Sequence, residues 1–374
     1  MAMTALLDDP AATVRRALAA ELSASKHSPA HVVAALAMDQ SEVSVPVLSR
    51  SPLLNESQLC EAIAVGDVYA RAAIALRPGL TEAVAWAIAD RAERESVISL
   101  AVNVTAAATE PVLRRALERF GDDGEVRESI LARGDLSPSV RCELVDATSH
   151  ALADFVNRTG WLSSERMERT CREASEMGTI EIAAESAALS AAKGQPALPL
   201  ELVRHKRSRG ELTPALILRA LVSGNRGLLE AALCELTGQS AARVSGFVAA
   251  WSGAGFGALF AKAGFPAALL PVFRAALAAQ DKFGLIYASG QRPQLSRLLV
   301  DDVIGSMESM GGPELSRVIA MLHRFRGEAA RAEAKALAAE FAAASGQEPA
   351  QLRPESPLIQ IDLGALETAI SRAA

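Results

Sequence analysis

The densest group of residues able to bind charged ligands is the stretch "RHKRSRG". It places Arg204, His205, Lys206, Arg207 and Arg209 within six positions. Guanidinium and ammonium groups bind phosphates and acidic protein surfaces. The aromatic residues that help to grip single-stranded nucleic acid do not occur nearby. The run predicts a partner-binding surface, with a solvated helix end as the alternative. Its candidate residues are Arg204, Lys206, Arg207 and Arg209.

A second candidate surface lies in the charged stretch "WLSSERMERTCREASEMG", residues 161–178. Trp161 opens this stretch, and tryptophan is enriched among the residues that dominate protein interfaces. Packing of Trp161 in the core is the alternative. Arg166 and Arg169 follow on a predicted helix. We therefore expect Trp161, Arg166 and Arg169 to contribute to partner binding.

The tripeptide Arg133-Gly134-Asp135 is the sequence that adhesion proteins display to cell-surface receptors. Here it precedes Ser137 and Pro138, which are typical of a helix cap and a first helical position. The opening "MAMTALLDDP" shows none of the features of a secretory signal peptide. The tripeptide therefore predicts a turn between two helices and not a receptor-binding loop.

No motif in the sequence predicts a catalytic, cofactor-binding or metal-binding residue. The five histidines and four cysteines do not occur at the spacings of known metal sites. Gly253, Gly255 and Gly257 lack both the preceding strand and the Gly-Lys-Ser/Thr sequence of a phosphate loop. They predict a turn between helices. We therefore expect neither a cofactor nor a metal ion.

Composition and charge favour a helical protein of the cytoplasm. Half of the residues are hydrophobic but only 4% are aromatic, which is typical of closely packed helices. Residues 1–150 carry 14 Lys/Arg against 21 Asp/Glu, which argues against nucleic acid as a ligand. The scattered cysteines indicate a reducing compartment. The longest apolar stretch, 263–273, is shorter than the roughly 20 residues that cross a bilayer.

The elements that must position these residues follow a repeat of two short helices. Apolar residues precede helix caps at Leu54-Asn55, Leu80-Thr81 and Leu136-Ser137. The interval from Thr81 to Ser137 is about twice the interval from Asn55 to Thr81. A degraded copy of the repeat is therefore expected near position 107, with Asn103 in the place of Arg77. Turns with Asp or Gly-Asp lie half a period away. This pattern predicts an all-α fold, an α-solenoid whose helical hairpins bury their apolar faces by stacking.

The opening "DDPAATVRRALA" resembles HEAT-like repeats, in which an Asp-Pro turn precedes Val-Arg and a helix of small residues. The matching residues are Asp9, Pro10, Val14 and Arg15, with a second copy at Asp123, Val126 and Arg127. Together with "LTPALILRALVSGNRGLLEAAL", residues 212–233, the alternating turns resemble a bacterial family, of alphaproteobacterial type, whose domain has no assigned function. The resemblance covers residues 4–280. It implies an α–α superhelix of HEAT-like hairpins and brings no catalytic residues.

The sequence predicts four regions. They are an amino-terminal HEAT-like array at 1–158, a charged helical hairpin insert at 159–193, a second helical array at 194–344, and a proline-containing linker with a short amphipathic tail at 345–374. Within the second array we expect five or six short helices between 199 and 279, then longer helices at 292–309 and 313–344. The alanine-rich last helix is a candidate homodimer face.

We expect a non-enzymatic scaffold or regulator that binds a protein partner. The repeats, the acidic amino-terminal half and the lack of a converging polar site favour this function. Two alternatives stay open. One is a HEAT-like-repeat enzyme that acts on nucleic acid, similar to a DNA glycosylase, which requires a basic concave surface. The other is a phosphate or nucleotide sensor that uses residues 204–209.

Overall fold

The computed structural model describes residues 6–160, 163–194, 198–283, 296–310 and 315–344. These ranges contain nineteen α-helices and no strand, which confirms the all-α class. Trp161 and the predicted linker and tail at 345–374 lie outside them.

The chain forms two compact units. The first lies within Met1–Ala220 and Asn225–Phe265. The second comprises Leu221–Gly224 and the described residues of Pro266–Ala374. The predicted boundaries after residues 158 and 193 both fall inside the first unit.

Ten helices of the first unit follow one another as five successive pairs. They are α1 (Ala12–Leu22), α2 (Ala30–Ala37), α3 (Ser41–Arg50), α4 (Glu56–Val65), α5 (Val68–Ala75), α6 (Glu82–Arg91), α7 (Arg94–Val102), α8 (Glu110–Phe120), α9 (Gly124–Leu131) and α10 (Pro138–Thr159). Each odd-numbered helix packs against the next odd-numbered one, and from α4 onward each even-numbered helix packs against the next even-numbered one. Alanine, valine, leucine and isoleucine side chains from both rows share one core.

Local capping starts several of these helices where the sequence predicts it. The Asn55 side chain accepts from the Gln58 amide at 2.9 Å, and the Gln58 side chain accepts from the Asn55 amide at 3.0 Å. These two bonds satisfy amides that have no partner within the helix. Ser137 likewise caps α10, with Pro138 as its first residue. Thr81 precedes α6, but its hydroxyl makes no cap hydrogen bond.

Side chains join the turns that follow the odd-numbered helices. Arg77, Asn103 and Arg133 occupy equivalent places, as predicted for the degraded copy at Asn103. Arg77 donates to the carbonyl oxygens of Leu48 and Ser51 at the end of α3. Asn103 donates to those of Ala75 and Arg77 at the end of α5, and Arg133 donates to those of Ala101 and Asn103 at the end of α7. The six distances are 2.6 to 3.3 Å. Because the last carbonyls of a helix lack intrahelical donors, these bonds satisfy them and link each turn to the next.

Arginines neutralise the acidic residues at the opposite end of the pairs. The ion pairs there are Arg15–Asp39, Arg71–Glu93 and Arg94–Asp123. The hydrogen bond from the arginine is the main reason why the pKa of Asp39 and the pKa of Asp123 are lowered. Three acids of this edge are therefore matched by cations of the same chain, whereas Asp67 accepts a hydrogen bond from the Ser41 hydroxyl instead.

The predicted hairpin between residues 159 and 193 is wrong, because one continuous helix, α11 (Ser164–Ala192), occupies this region. Its Met167 and Ile180 are buried on either side of Gly178, the last residue of the charged stretch 161–178. A Cβ atom at Gly178 would lie 2.9 Å from Cγ1 of Val145 on α10. The glycine therefore allows α10 and α11 to pack closely and does not end the helix.

The predicted helices of the carboxy-terminal half are confirmed in number and order among the described residues. They are α12 (Leu200–Ser208), α13 (Pro214–Val222), α14 (Arg226–Thr237), α15 (Ala241–Ala249), α16 (Ala254–Lys262), α17 (Leu270–Phe283, after a 3-10 turn), α18 (Arg297–Met310) and α19 (Leu315–Ala344). In the first unit α12 packs against α10 and α14. None of the described helices combines the length and the hydropathy needed to cross a membrane.

Candidate functional site

The basic run at 204–209 is neutralised by carboxylates from elsewhere in the chain. Arg204 Nε donates to Glu235 Oε2 at 3.0 Å, and Arg207 Nη1 donates to Glu235 Oε1 at 2.9 Å. Arg209 Nε donates to Glu211 Oε1 at 3.0 Å. Three of the predicted partner-binding cations are thus engaged within the chain.

Lys206, the fourth candidate, is an interior residue. Its side chain is only 3% exposed, and Nζ donates to Asp146 Oδ2 at 3.1 Å and to Glu211 Oε2 at 2.8 Å. Ser175 donates to the other oxygen of Asp146. Burial by itself would lower the pKa of Lys206, but the charge of Asp146 and the hydrogen bond to Glu211 outweigh it and raise this pKa. Lys206 therefore holds α10 and α12 together as a cation.

Helical spacing explains how this polar cluster is buried. Leu202, His205 and Lys206 have the i, i+3, i+4 spacing of one helical face, so the burial of Leu202 also turns the two polar side chains inward. On α10, Glu143 and Asp146 are three residues apart and lie on one face in the same way. The cluster thus joins two polar faces in a mainly apolar helical array.

His205 is the least satisfied member of the cluster. It is 6% exposed, and neither ring nitrogen has a hydrogen-bond partner. Its Nε2 lies 3.8 Å from Oε1 of Glu143, beyond hydrogen-bond distance. Burial, followed by the charges of Arg114, Lys206 and Arg209, lowers the pKa of His205. The imidazole is therefore neutral in the folded protein at neutral pH.

The free energy of unfolding is expected to decrease as the pH falls below about 6.5, the ordinary pKa of histidine. The unfolded chain then binds a proton that folded His205 does not, which costs up to about 1.4 kcal/mol per pH unit. Urea denaturation across this pH range should show a shallower decrease for His205→Leu than for the wild type. His27→Gln, which alters an exposed histidine, is the matched control. Equal slopes for His205→Leu and the wild type would contradict this expectation.

A cavity of about 610 Å³ opens beside Lys206, between α10, α11 and the segment before α13. This is the size of many small-molecule sites. Its walls include Ser149, Cys171 and Glu176. Burial raises the pKa of Glu176, although Arg219, 2.8 Å away, opposes this effect. The described residues contain no group of three His, Cys, Asp or Glu side chains placed to hold a metal ion.

The other predicted contacts do not join this cluster. Arg166 and Arg169 have exposed side chains on α11 and are not among the residues that line the cavity. Trp161 lies outside the described residues, so its predicted role is not placed. Among the described residues of the predicted set, Lys206 and Arg209 meet at Glu211, and Arg204 and Arg207 meet at Glu235.

A row of exposed apolar side chains follows the turns that Arg77, Asn103 and Arg133 join. Leu76, Val102 and Leu131 are 63%, 60% and 63% exposed; Leu76 directly follows α5, and the other two are the last residues of α7 and α9. We call these three residues the apolar turn row. This row was not predicted, although the sequence has an apolar residue one or two places before each of Arg77, Asn103 and Arg133.

Glutamates flank the apolar turn row at the same end of the helical pairs. Glu56, Glu82 and Glu110 are the first residues of α4, α6 and α8. The Thr81 hydroxyl donates to Glu56 Oε2 at 2.5 Å, and the Thr109 hydroxyl donates to Glu82 Oε1 at 2.8 Å. In the described part of the chain, neither Glu56 nor Glu82 forms an ion pair with Lys or Arg. This edge therefore combines exposed apolar groups with two acids, Glu56 and Glu82, that have no counter-charge among the described residues, while Glu110 lies 3.8 Å from Arg114 Nη1.

Comparison with known proteins identifies the family. A family model described as an uncharacterised protein conserved in bacteria (DUF2336) matches residues 43–301, which is more than half of the chain. No curated protein and no solved structure is significantly similar to the chain. The predicted resemblance to a bacterial family without an assigned function is thereby confirmed. The chain belongs to this uncharacterised bacterial family.

Proposed function

We propose that the chain is a non-enzymatic helical-repeat scaffold or regulator of the bacterial cytoplasm that binds a protein partner. Packing within the odd-numbered and even-numbered rows supports an α-solenoid of HEAT-like hairpins, because each pair covers the apolar face of the next. Arg15 and Arg127, at the HEAT-like positions, both donate to a backbone carbonyl six residues earlier, at 2.7 and 2.6 Å.

The apolar turn row is the observation that carries the proposal. Its three residues lie on consecutive turns that hydrogen bonds join, so exposed apolar groups recur at one end of successive helical pairs. Contiguous exposed apolar surface commonly marks a protein interaction site. Complete burial of one leucine or valine side chain contributes roughly 1.5 to 3 kcal/mol, so a partner that covers the row gains apolar burial at each of its three positions.

The basic run gives the alternative functions little support. The cations that a phosphate or a nucleic-acid backbone would need already donate to carboxylates of the same chain, on Asp146, Glu211 and Glu235. No specific observation favours a nucleic-acid enzyme or a phosphate sensor. We therefore propose that the main contact with the partner lies at the turns of α5, α7 and α9 and not at residues 161–209. Exposed Arg166 and Arg169 are candidates for a secondary contact.

Affinity capture from a lysate of the native bacterium tests the proposal. The full chain carrying Leu76→Gln, Val102→Gln and Leu131→Gln should retain at least about tenfold less of the specific partner than the wild type, equivalent to about 1.4 kcal/mol. Quantitative mass spectrometry measures the retained protein. Glutamine is chosen because it removes apolar surface without adding charge.

The matched control carries Val65→Gln, Leu152→Gln and Leu189→Gln, which alter three similarly exposed apolar residues outside the row. It should retain the partner as the wild type does. Circular dichroism should show that both variants keep their helices. Equal retention by the row variant and the wild type would refute the proposed binding surface.

A further inference from the structure

We infer that the partner presents a basic amphipathic α-helix to the apolar turn row. This inference rests on the proposed function and adds the shape and charge of the partner. Three properties of the row carry it: the spacing of its residues, the acids beside it and the way in which those acids are held.

The spacing of the row matches that of an α-helix. Leu76, Val102 and Leu131 lie at the ends of helices that pack against each other in order, and packed helices lie about 8 to 10 Å apart. Seven residues of an α-helix advance about 10.5 Å and return to nearly the same face. A helix laid along the row therefore presents its residues i, i+7 and i+14 to the three positions.

An extended segment fits the row poorly. A strand advances about 3.3 Å per residue, so about three residues span the distance between neighbouring row positions. Successive side chains of a strand point to opposite faces, and the third residue therefore faces away from the surface. The row thus selects a helix over an added strand.

The glutamates of this edge favour a basic helix, while Arg77 of the same edge is bonded to the carbonyl oxygens of Leu48 and Ser51 and not to a carboxylate. Glu56 and Glu82 carry no cationic partner among the described residues, and Glu110 is 3.8 Å from Arg114 Nη1. At the opposite edge, by contrast, arginines of the same chain pair with Asp39, Glu93 and Asp123. In the preceding pair of helices, the place equivalent to Leu76 is held by Arg50, which is charged. The apolar row therefore begins at Leu76. Lysine or arginine on the flank of the partner helix would complement the row of glutamates.

Two of the glutamates are held in place before a partner arrives. The hydroxyl groups of Thr81 and Thr109 each bond one carboxylate oxygen, on Glu56 and Glu82 respectively. The second oxygen of each carboxylate is left to accept from an ammonium or guanidinium group. Acceptors that are already oriented lose less conformational freedom on binding. Glu110 is the first residue of α8 and lies at the same end of the helical pairs.

A synthetic helix supplies the probe. The peptide has three leucines spaced seven residues apart, lysines on both flanks and alanine elsewhere, with a fluorescent label at one end. One comparison peptide replaces every lysine with glutamate. A second keeps the composition but spaces the leucines so that they do not share a helical face. Fluorescence anisotropy with the purified full chain measures the dissociation constant of each.

The basic peptide is expected to bind the wild type saturably, and both comparison peptides should bind at least about tenfold more weakly. The row variant, which carries Leu76→Gln, Val102→Gln and Leu131→Gln, should bind the basic peptide about tenfold more weakly than the wild type. The double variant Glu56→Gln with Glu82→Gln should show a loss of affinity of the same size. The control variant Val65→Gln, Leu152→Gln and Leu189→Gln should bind it as the wild type does. Rising salt should weaken the complex, because the acidic and basic groups are exposed.

The inference is overturned if the basic peptide shows no saturable binding, if either comparison peptide binds as tightly, or if the row variant keeps full affinity. These results are separable from failure of the proposed function. Loss of the native partner from the row variant, combined with no binding of the basic peptide, would leave the scaffold function standing and reject the basic helix. Retention of the native partner by the row variant would reject the binding surface itself.

Discussion

Replacing Lys206 with methionine is expected to lower the free energy of unfolding by about 3 to 5 kcal/mol. Methionine can fill much of the space of the lysine stem, so the loss does not come mainly from a cavity. It comes from Asp146 and Glu211, which would keep their negative charges without the cation that now bridges them. Asp146 is itself buried, and a buried charge left without its partner is costly.

Chemical denaturation monitored by circular dichroism measures this loss. Arg207→Met is the matched control, because Arg207 belongs to the same run but is half exposed and should cost less than about 1 kcal/mol. Adding Asp146→Asn and Glu211→Gln to Lys206→Met should restore part of the stability, since both orphaned charges are removed. A loss for Lys206→Met no larger than that for Arg207→Met would show that Lys206 does not hold the cluster.

Replacing Arg133 with alanine is expected to cost about 3 kcal/mol, because it removes a buried stem and several hydrogen bonds together. The side chain is only 4% exposed. It donates to the carbonyls of Ala101 and Asn103, and its fork binds both carboxylate oxygens of Asp135 at 3.0 and 2.9 Å. Truncation leaves the carbonyls at the end of α7 without these donors.

Thermal and urea unfolding of Arg133→Ala, Arg133→Lys and Asp135→Asn separate these contributions. Lysine should recover less than half of the loss, because an ammonium group cannot reproduce the fork of a guanidinium. Asp135→Asn should cost less than about 1 kcal/mol, since the Asp135 side chain is mostly exposed. Wild-type stability in Arg133→Lys would show that the geometry of the fork is unimportant. The tripeptide Arg133–Asp135 lies between the end of α9 and the start of α10, as predicted for a turn.

The helices and turns were predictable because their signals are local. Asn55 with Gln58, and Ser137 with Pro138, start helices through contacts within one turn of chain, so residue type and spacing suffice to locate them. The equivalence of Asn103 and Arg77 was likewise visible as a matching place in the repeat. The family resemblance followed from the same turns and residues.

The candidate site was less predictable because its contacts join distant residues. The density of cations at 204–209 is visible in the sequence, but Asp146, which neutralises Lys206, lies 60 residues away. Gly178 gives the same local signal whether it ends a helix or allows close packing, and only the neighbouring Val145 distinguishes the two. Leu76 and Val102 resemble core residues by type, and their exposure depends on their place at the end of a stacked pair.

Site-specific photocrosslinking in cells of the native bacterium tests partner binding at the apolar turn row most directly. A photoreactive amino acid placed singly at Leu76, Val102 or Leu131 of the full chain is expected to crosslink the same polypeptide from all three positions. The same substitution at Leu189, an exposed residue of α11, should not crosslink that polypeptide. Crosslinking from Leu189 with none from the three row positions would contradict the proposed binding surface.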